Sequence, residues 1–113
     1  MDKNLREQVF ERCQGSCEKC GHSLPESWAL HHRKLRSQGG KDVVENFVAL
    51  HHACHNMGTD AVHLNPASAI RDGFIVPSWA QPDTTSVTLA SGDSVILTKE
   101  GSYHYLERGK NGW

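Results

Sequence analysis

Cysteine and histidine crowd into one part of this 113-residue chain. Its four cysteines lie between Cys13 and Cys54, and six of its eight histidines lie between His31 and His63. Cys17-Glu18-Lys19-Cys20-Gly21 places two thiols at the spacing with which a pair of thiolates grips one ion, and the glycine lets the backbone turn tightly beneath it. His51-His52-Ala53-Cys54 supplies a second pair at His-x-x-Cys spacing. Together Cys17, Cys20, His51 and Cys54 make a Cys3His set suited to a closed, tetrahedral structural Zn2+ site. His52 is the alternative nitrogen ligand, although the spacing favours His51. Cys13 stands outside any Cys-x-x-Cys spacing and reads as a small, half-buried apolar residue rather than a fifth ligand. A redox pair shares the spacing of Cys17 and Cys20, but it predicts a reversible disulfide and no bound zinc.

His31, His32, His55 and His63 remain without thiolate partners. Ligation by imidazole alone leaves coordination positions open, which is the mark of a catalytic rather than a structural ion. A free histidine beside such an ion suits general-base work, because its unperturbed pKa is about 6.5. Next to this pair of adjacent histidines runs a basic stretch: from Ser27 to Lys41 there are four cations, Arg33, Lys34, Arg36 and Lys41, and no carboxylate. Such a stretch can track a phosphate backbone, although a solvated basic loop has the same composition.

These residues need elements to position them. Leu5, Val9 and Phe10 recur at helical spacing and predict an amphipathic helix over residues 3–13 that stops near Gly15. Residues 27–32 read as a strand with Trp28 as its aromatic anchor, and Gly39-Gly40 breaks the chain into a loop. On a strand His31 and His32 point to opposite faces, so only a twist or bend at its end would turn both towards one cleft. Residues 43–50 predict a second strand, entered through a polar turn near 42–46, and a helix carrying Cys54 and His55 should follow. Asn65-Pro66 signals a helix over 66–72, with Gly73 as its left-handed stop. Residues 74–79 read as an extended return to the core, and 80–86, with Pro82, as a linker. Val87/Leu89, Val95/Leu97 and Tyr103/Tyr105 then alternate in three short runs separated by glycine turns, a small β-meander expected to dock on the core. The tail 108–113 is polar. The fold class is α+β, with residues 1–79 as the site-bearing domain and 80–113 as a meander and tail packed upon it.

A formal net charge of −1 does not by itself demand nucleic acid or an acidic membrane surface. The length suits one domain with a modest core, for which a structural metal is a common reinforcement. The polar start Met1-Asp2-Lys3-Asn4 is not followed by the apolar run of a secretory signal, and no stretch approaches the roughly 20 apolar residues of a membrane span. A reducing cytoplasm is the expected location, where cysteine with histidine at short spacing reads as metal sooner than disulfide.

In order, the chain contains CxxCG (from Cys17), HHRxLRSQGG (from His31), ENxxxL (from Glu45), a ligand pair ending in Cys54-His55-Asn56, and VHxNPxxA (from Val62). This succession, spanning roughly Leu5 to Trp79, resembles the HNH endonuclease family, most closely its small phage-type members. The resemblance implies a ββα-metal (His-Me finger) core and a metal-dependent DNA endonuclease. It makes His31, His55 and His63 ligands of a catalytic divalent ion (Mg2+, Mn2+, Ni2+ or Zn2+), His32 the base that deprotonates water, and Asn46 the residue that holds the loop and the base. Hydrolysis would follow a one-metal route and leave a 5′-phosphate and a 3′-hydroxyl. Arg33, Lys34 and Arg36 would contact DNA, with Arg33 or Arg36 bracing a non-scissile phosphate. By family analogy alone the partners extend to DNA-packaging machinery, and a phage-encoded chain would act in the host cytoplasm. Two departures stand out. Many relatives close the site with two histidines four apart on one helix, whereas His55 and His63 are eight apart, so His63 arrives from a separate turn or Asp60 takes its place. One family thiolate is replaced by His51. The rival class is a non-catalytic, zinc-stabilised nucleic-acid-binding module.

Overall fold

The computed structural model describes residues 4–59 and 61–106. Asp60, the tail 108–113 and the first residues of the expected N-terminal helix lie outside the described residues.

Helix α1 spans Leu5–Arg12 and starts at a reciprocal cap. The Asn4 side chain accepts from the Glu7 amide at 2.8 Å, and the Glu7 carboxylate accepts from the Asn4 amide at 3.2 Å. Gln14 and Gly15 both adopt positive φ and end the helix. Strand β1, Ala29–His32, pairs antiparallel with β2, Phe47–Leu50, with His31 opposite Val48 and His32 opposite Phe47. Both strands are shorter than their apolar patterns suggest. Residues 27 and 28 precede β1, where the Trp28 carbonyl accepts from Arg6 and the indole lies 3.9 Å beneath the Arg6 guanidinium. Residues 44–46 form a 3-10 turn, because Asn46 spends its side chain on the loop before it rather than pointing from a ladder.

All four residues of β2 are buried, and its alternation divides the interior. Val48 and Leu50 face one apolar cluster with Cys17, Val62, Phe74, Val87, Val95 and Leu97. Phe47 and Ala49 face a second, with Val9, Trp28 and Val44. Each fully buried valine, leucine or phenylalanine contributes about 1.5–3 kcal/mol, so β2 is the strand on which both halves of the core depend.

The helix expected after Leu50 is instead a single π turn, Ala53–Met57, closed by the Gly58 amide on the Ala53 carbonyl at 2.8 Å. A 3-10 turn, Val62–Leu64, and helix α2, Pro66–Arg71, follow. Asn65 precedes α2 but does not cap it. Its side-chain amide donates to the Thr59 and Ala61 carbonyls and folds the 59–65 segment back on itself. Gly73, at φ 83°, passes so close to Ser86 that a Cβ there would lie 1.9 Å from the Ser86 carbonyl oxygen.

Residues 80–86 are not a linker. Pro82 is buried, and the carbonyls of Ala80, Pro82 and Thr85 accept from Lys34 or Arg33. Strands β3 (Val87–Thr88), β4 (Ser94–Leu97) and β5 (Tyr103–Tyr105) form an antiparallel sheet in that order. Leu89 falls outside β3, its amide closing the turn on the Asp93 carbonyl. Val87, Val95 and Leu97 enter the same apolar cluster as Val48 and Cys17, so the sheet shares the core of the hairpin. Among the described residues no helix is long and apolar enough to cross a membrane.

Candidate metal centres

The fold draws two sets of ligand-type side chains together. Cys17, Cys20, His51 and Cys54 bring their sulfur and nitrogen atoms within 4.8 Å of one another, as do His31, His55 and His63 with their nitrogens. No member of the first set is bridged to another cysteine: all four cysteines of the chain are free thiols.

In the sulfur set, the Cys17-to-Gly21 turn presents Cys17 and Cys20, while the end of β2 and the start of the π turn present His51 and Cys54. His51 Nδ1 lies 3.1 Å from Cys20 Sγ, and its Nε2 is 2.7 Å from the Ser23 carbonyl. That carbonyl only accepts, so Nε2 carries the proton and Nδ1 turns its lone pair on the sulfurs, the arrangement of a ligand oriented from behind. Burial would push the Cys17 thiol up, but the amides of Cys20, His51 and Lys19 outweigh it and bring the thiol below its ordinary value. Burial and the neighbouring Cys17 charge push Cys54 up. Without a cation the cluster therefore cannot hold all its thiolates. A Zn2+ would deprotonate them outright, and the donor set fits that ion. Cys13 stands apart, as the residue that ends α1, its thiol pushed up to about 11 chiefly by burial and then by the Glu18 charge.

Glu18, between the two cysteines of the turn, carries no signal in the sequence and is the most connected carboxylate nearby. Its side chain is buried against the Arg12 guanidinium in a two-pronged pair at 2.9 and 3.0 Å, and it accepts from the Ala49 amide at 2.8 Å and from the Tyr103 hydroxyl. It ties α1, β2 and β5 to the turn.

In the imidazole set, His31 is buried and its Nε2 lies 2.8 Å from the Phe74 carbonyl, which leaves Nδ1 to face His55 and His63. The three rings meet edge to face, with centroids 4.5 to 5.1 Å apart. His55 Nε2 and His63 Nε2 are 3.0 Å apart, close to the roughly 3.3 Å edge of a tetrahedron with metal–nitrogen bonds of about 2.0 Å. Burial, then the charges of His55 and His63, push His31 down to about 4. Burial and His63 likewise lower His55. His31 and His55 are thus available as neutral imidazoles near pH 7. The eight-residue gap between His55 and His63 is spanned by the π turn and the 3-10 turn, with Gly58 extended between them.

His32 points to the other face of β1. Its ring stacks on Phe47, with centroids 4.4 Å apart, and its Nε2 lies 2.8 Å from Asp42 Oδ1. Asp42 also pairs with Arg36. Arg36, then His32, hold the Asp42 carboxyl down at about 2. An acceptor that stays ionised fixes the His32 proton on Nε2 and leaves Nδ1 with the lone pair. Asn46 is wholly buried and does not touch His32. Its Oδ1 accepts from the Lys34 amide at 2.8 Å, and its Nδ2 donates to the Lys34 and Lys41 carbonyls at 3.0 Å, pinning the loop that follows the strand.

The basic stretch does not lie open as expected. Arg33 is 1 % exposed and gives its guanidinium to the carbonyls of Gly73, Glu45, Pro82 and Thr85 at 2.7 to 3.1 Å. Lys34 is buried, its Nζ 2.8 Å from the Ala80 carbonyl. The expectation that both contact DNA is therefore corrected: each cation satisfies backbone carbonyls that burial would otherwise orphan. Arg36 alone of the three reaches solvent.

Residues 17–61, 45 of the 113, match the family model described as HNH endonuclease. That segment is similar to HNH endonucleases, as its motifs lead one to expect. The matched HNH segment contains the whole sulfur set together with His31, His32, Asn46 and His55, and it ends before His63. An HNH domain implies a nucleic-acid substrate and use of a divalent metal. No curated protein and no solved structure matches the chain.

Proposed function

We propose that this HNH protein is a metal-dependent DNA endonuclease that hydrolyses phosphodiester bonds by a one-metal route, leaving a 5′-phosphate and a 3′-hydroxyl. The observation that carries this reading is the convergence of His31, His55 and His63, from a strand, a π turn and a 3-10 turn, within 4.8 Å. Three imidazoles without a thiolate leave room for water and phosphate oxygens. A divalent ion (Mg2+, Mn2+, Ni2+ or Zn2+) bound there supplies Lewis-acid stabilisation of the charge that builds on the scissile phosphate and the leaving 3′ oxygen.

The residues of the chain do the rest. His31 is oriented by the Phe74 carbonyl. His32 is the general base: with its proton fixed on Nε2 by Asp42, Nδ1 takes the proton of the attacking water. Asn46 acts as a positioning residue, holding the 34–41 loop beside the base. Arg36 is the cation that meets a phosphate. Cys17, Cys20, His51 and Cys54 hold a structural Zn2+ that fixes the end of β2 and the π turn. The hairpin with the turn after it serves as the ββα-metal core, within residues 1–79, and the sheet that follows shares its apolar core through Val87, Val95 and Leu97.

A plasmid-nicking assay with Mg2+, Mn2+ or Ni2+ tests the reading. The wild type should cut only with added ion, and His32→Ala should lower the rate by about 10²–10⁴ with the fold intact. No cutting by the wild type with any of these ions returns the non-catalytic zinc module.

A further inference from the structure

Beside the imidazole set lies a hollow of about 280 Å³ whose lining includes His31 and His63. Its rim is apolar and comes from three separate segments: Leu35 after β1, Ile70 on α2, and Trp79 at the end of the extended return. All three are exposed, and Trp79 is 82 % exposed. Single exposed apolar side chains are ordinary, but three converging on one concavity mark a binding surface.

We propose that this hollow receives one unpaired nucleobase of the substrate strand, stacked on Trp79, so that single-stranded or frayed DNA is the preferred substrate. The inference rests on the nuclease reading above and names its substrate class. The argument is one of continuity. His31 and His63 belong both to the imidazole set and to the hollow, so a phosphate held at the one brings its adjoining nucleoside to the mouth of the other. A base has two apolar π faces and a polar edge. The indole suits the face, and Gln38, also on the lining, offers an amide donor and acceptor to the edge. A base within an intact duplex is stacked on both sides and enters such a hollow only after leaving the helix. Base–aromatic stacking is insensitive to sequence, so the slot selects strand state rather than a recognition site.

The test uses the full chain in the His32→Ala background, loaded with zinc and Mg2+, so that binding is read without cutting. The probe is an oligonucleotide carrying the fluorescent base 2-aminopurine, offered single-stranded or fully paired. The single strand should bind more tightly and its fluorescence should be quenched on stacking. Adding Trp79→Ala should weaken single-strand binding roughly tenfold and remove the quench, while duplex affinity stays where it was. Leu35→Glu, which puts a carboxylate at the mouth and leaves the indole in place, should have the same effect and guards against a disturbance peculiar to the Trp79 change. Equal affinity for the two forms, or no response to either substitution, overturns the slot and leaves that face to a protein partner. Plasmid cutting by the wild type separates the two readings: cutting with a failed binding test removes the slot alone, and a quench that depends on Trp79 without cutting supports the slot while removing the nuclease.

Discussion

The two ligand clusters are built from neighbouring residues yet differ in almost every physical respect. The sulfur set offers four donors, three of them thiols, and is anchored from outside by Glu18 and the Ser23 carbonyl. The imidazole set offers three nitrogen donors, one buried and oriented by a main-chain carbonyl, the others partly open to solvent. The first is closed and carries charge that only a cation can balance. The second is open and contains no thiol to deprotonate. The contrast teaches that donor chemistry, more than proximity, decides whether an ion holds a fold or serves a reaction.

The largest effect should separate the clusters outright. Cys17→Ser, or prolonged chelation, should remove one zinc per chain and unfold the protein, because binding energies of such sites run on the order of 10–16 kcal/mol and rival the whole stability of a small domain. Metal analysis with circular dichroism reads both events. A folded, zinc-free variant would break the comparison. His55→Ala should do the reverse: cutting falls by about 10³ or more, as expected when several kcal/mol of charge stabilisation are lost, while the melting curve stays within about 1 kcal/mol of wild type. Loss of structure in that variant would mean the imidazole set is structural too.

Glu18→Ala tests the outer support of the closed cluster. It strands the buried Arg12 guanidinium without its counter-charge, which should cost about 3–5 kcal/mol in urea unfolding while leaving the zinc content unchanged. The smallest effect concerns Cys13, the one cysteine outside both sets. Its folded value near 11 lies above the ordinary 9.0, so its contribution to stability is fully present below pH 9 and is lost as pH rises towards 11. Unfolding of the zinc-loaded protein across that window should show the loss, and Cys13→Ala should abolish it.

How much of this was legible beforehand depended on the range of the interactions involved. The members of both clusters stand out by residue type, those of the sulfur set also by spacings of three residues, and the helix start at Pro66 and the breaks at Gly15 and Gly73 are local events that a sequence displays. The helix expected at Cys54 was a reasonable extension of that local logic. It failed because adjacent Cys54 and His55 are each drawn to a different cluster, and a wide turn meets both demands. The basic stretch misled for the opposite reason. Arg33 and Lys34 look like surface cations beside Arg36, but their partners are carbonyls 12 to 52 residues away, and nothing in their own neighbourhood reveals it. The same long bonds explain why 80–86 reads as a linker and is in fact clamped. Asp42, which holds His32, has no spacing signature at all.

A single peptide bond joins Cys54 to His55, so the two clusters cannot be assembled independently. Until zinc has set Cys54, the neighbouring imidazole has no fixed address, and the three-histidine set cannot close. On the proposed reading a newly made or zinc-starved copy would therefore stay inactive, whichever ion the imidazole set takes.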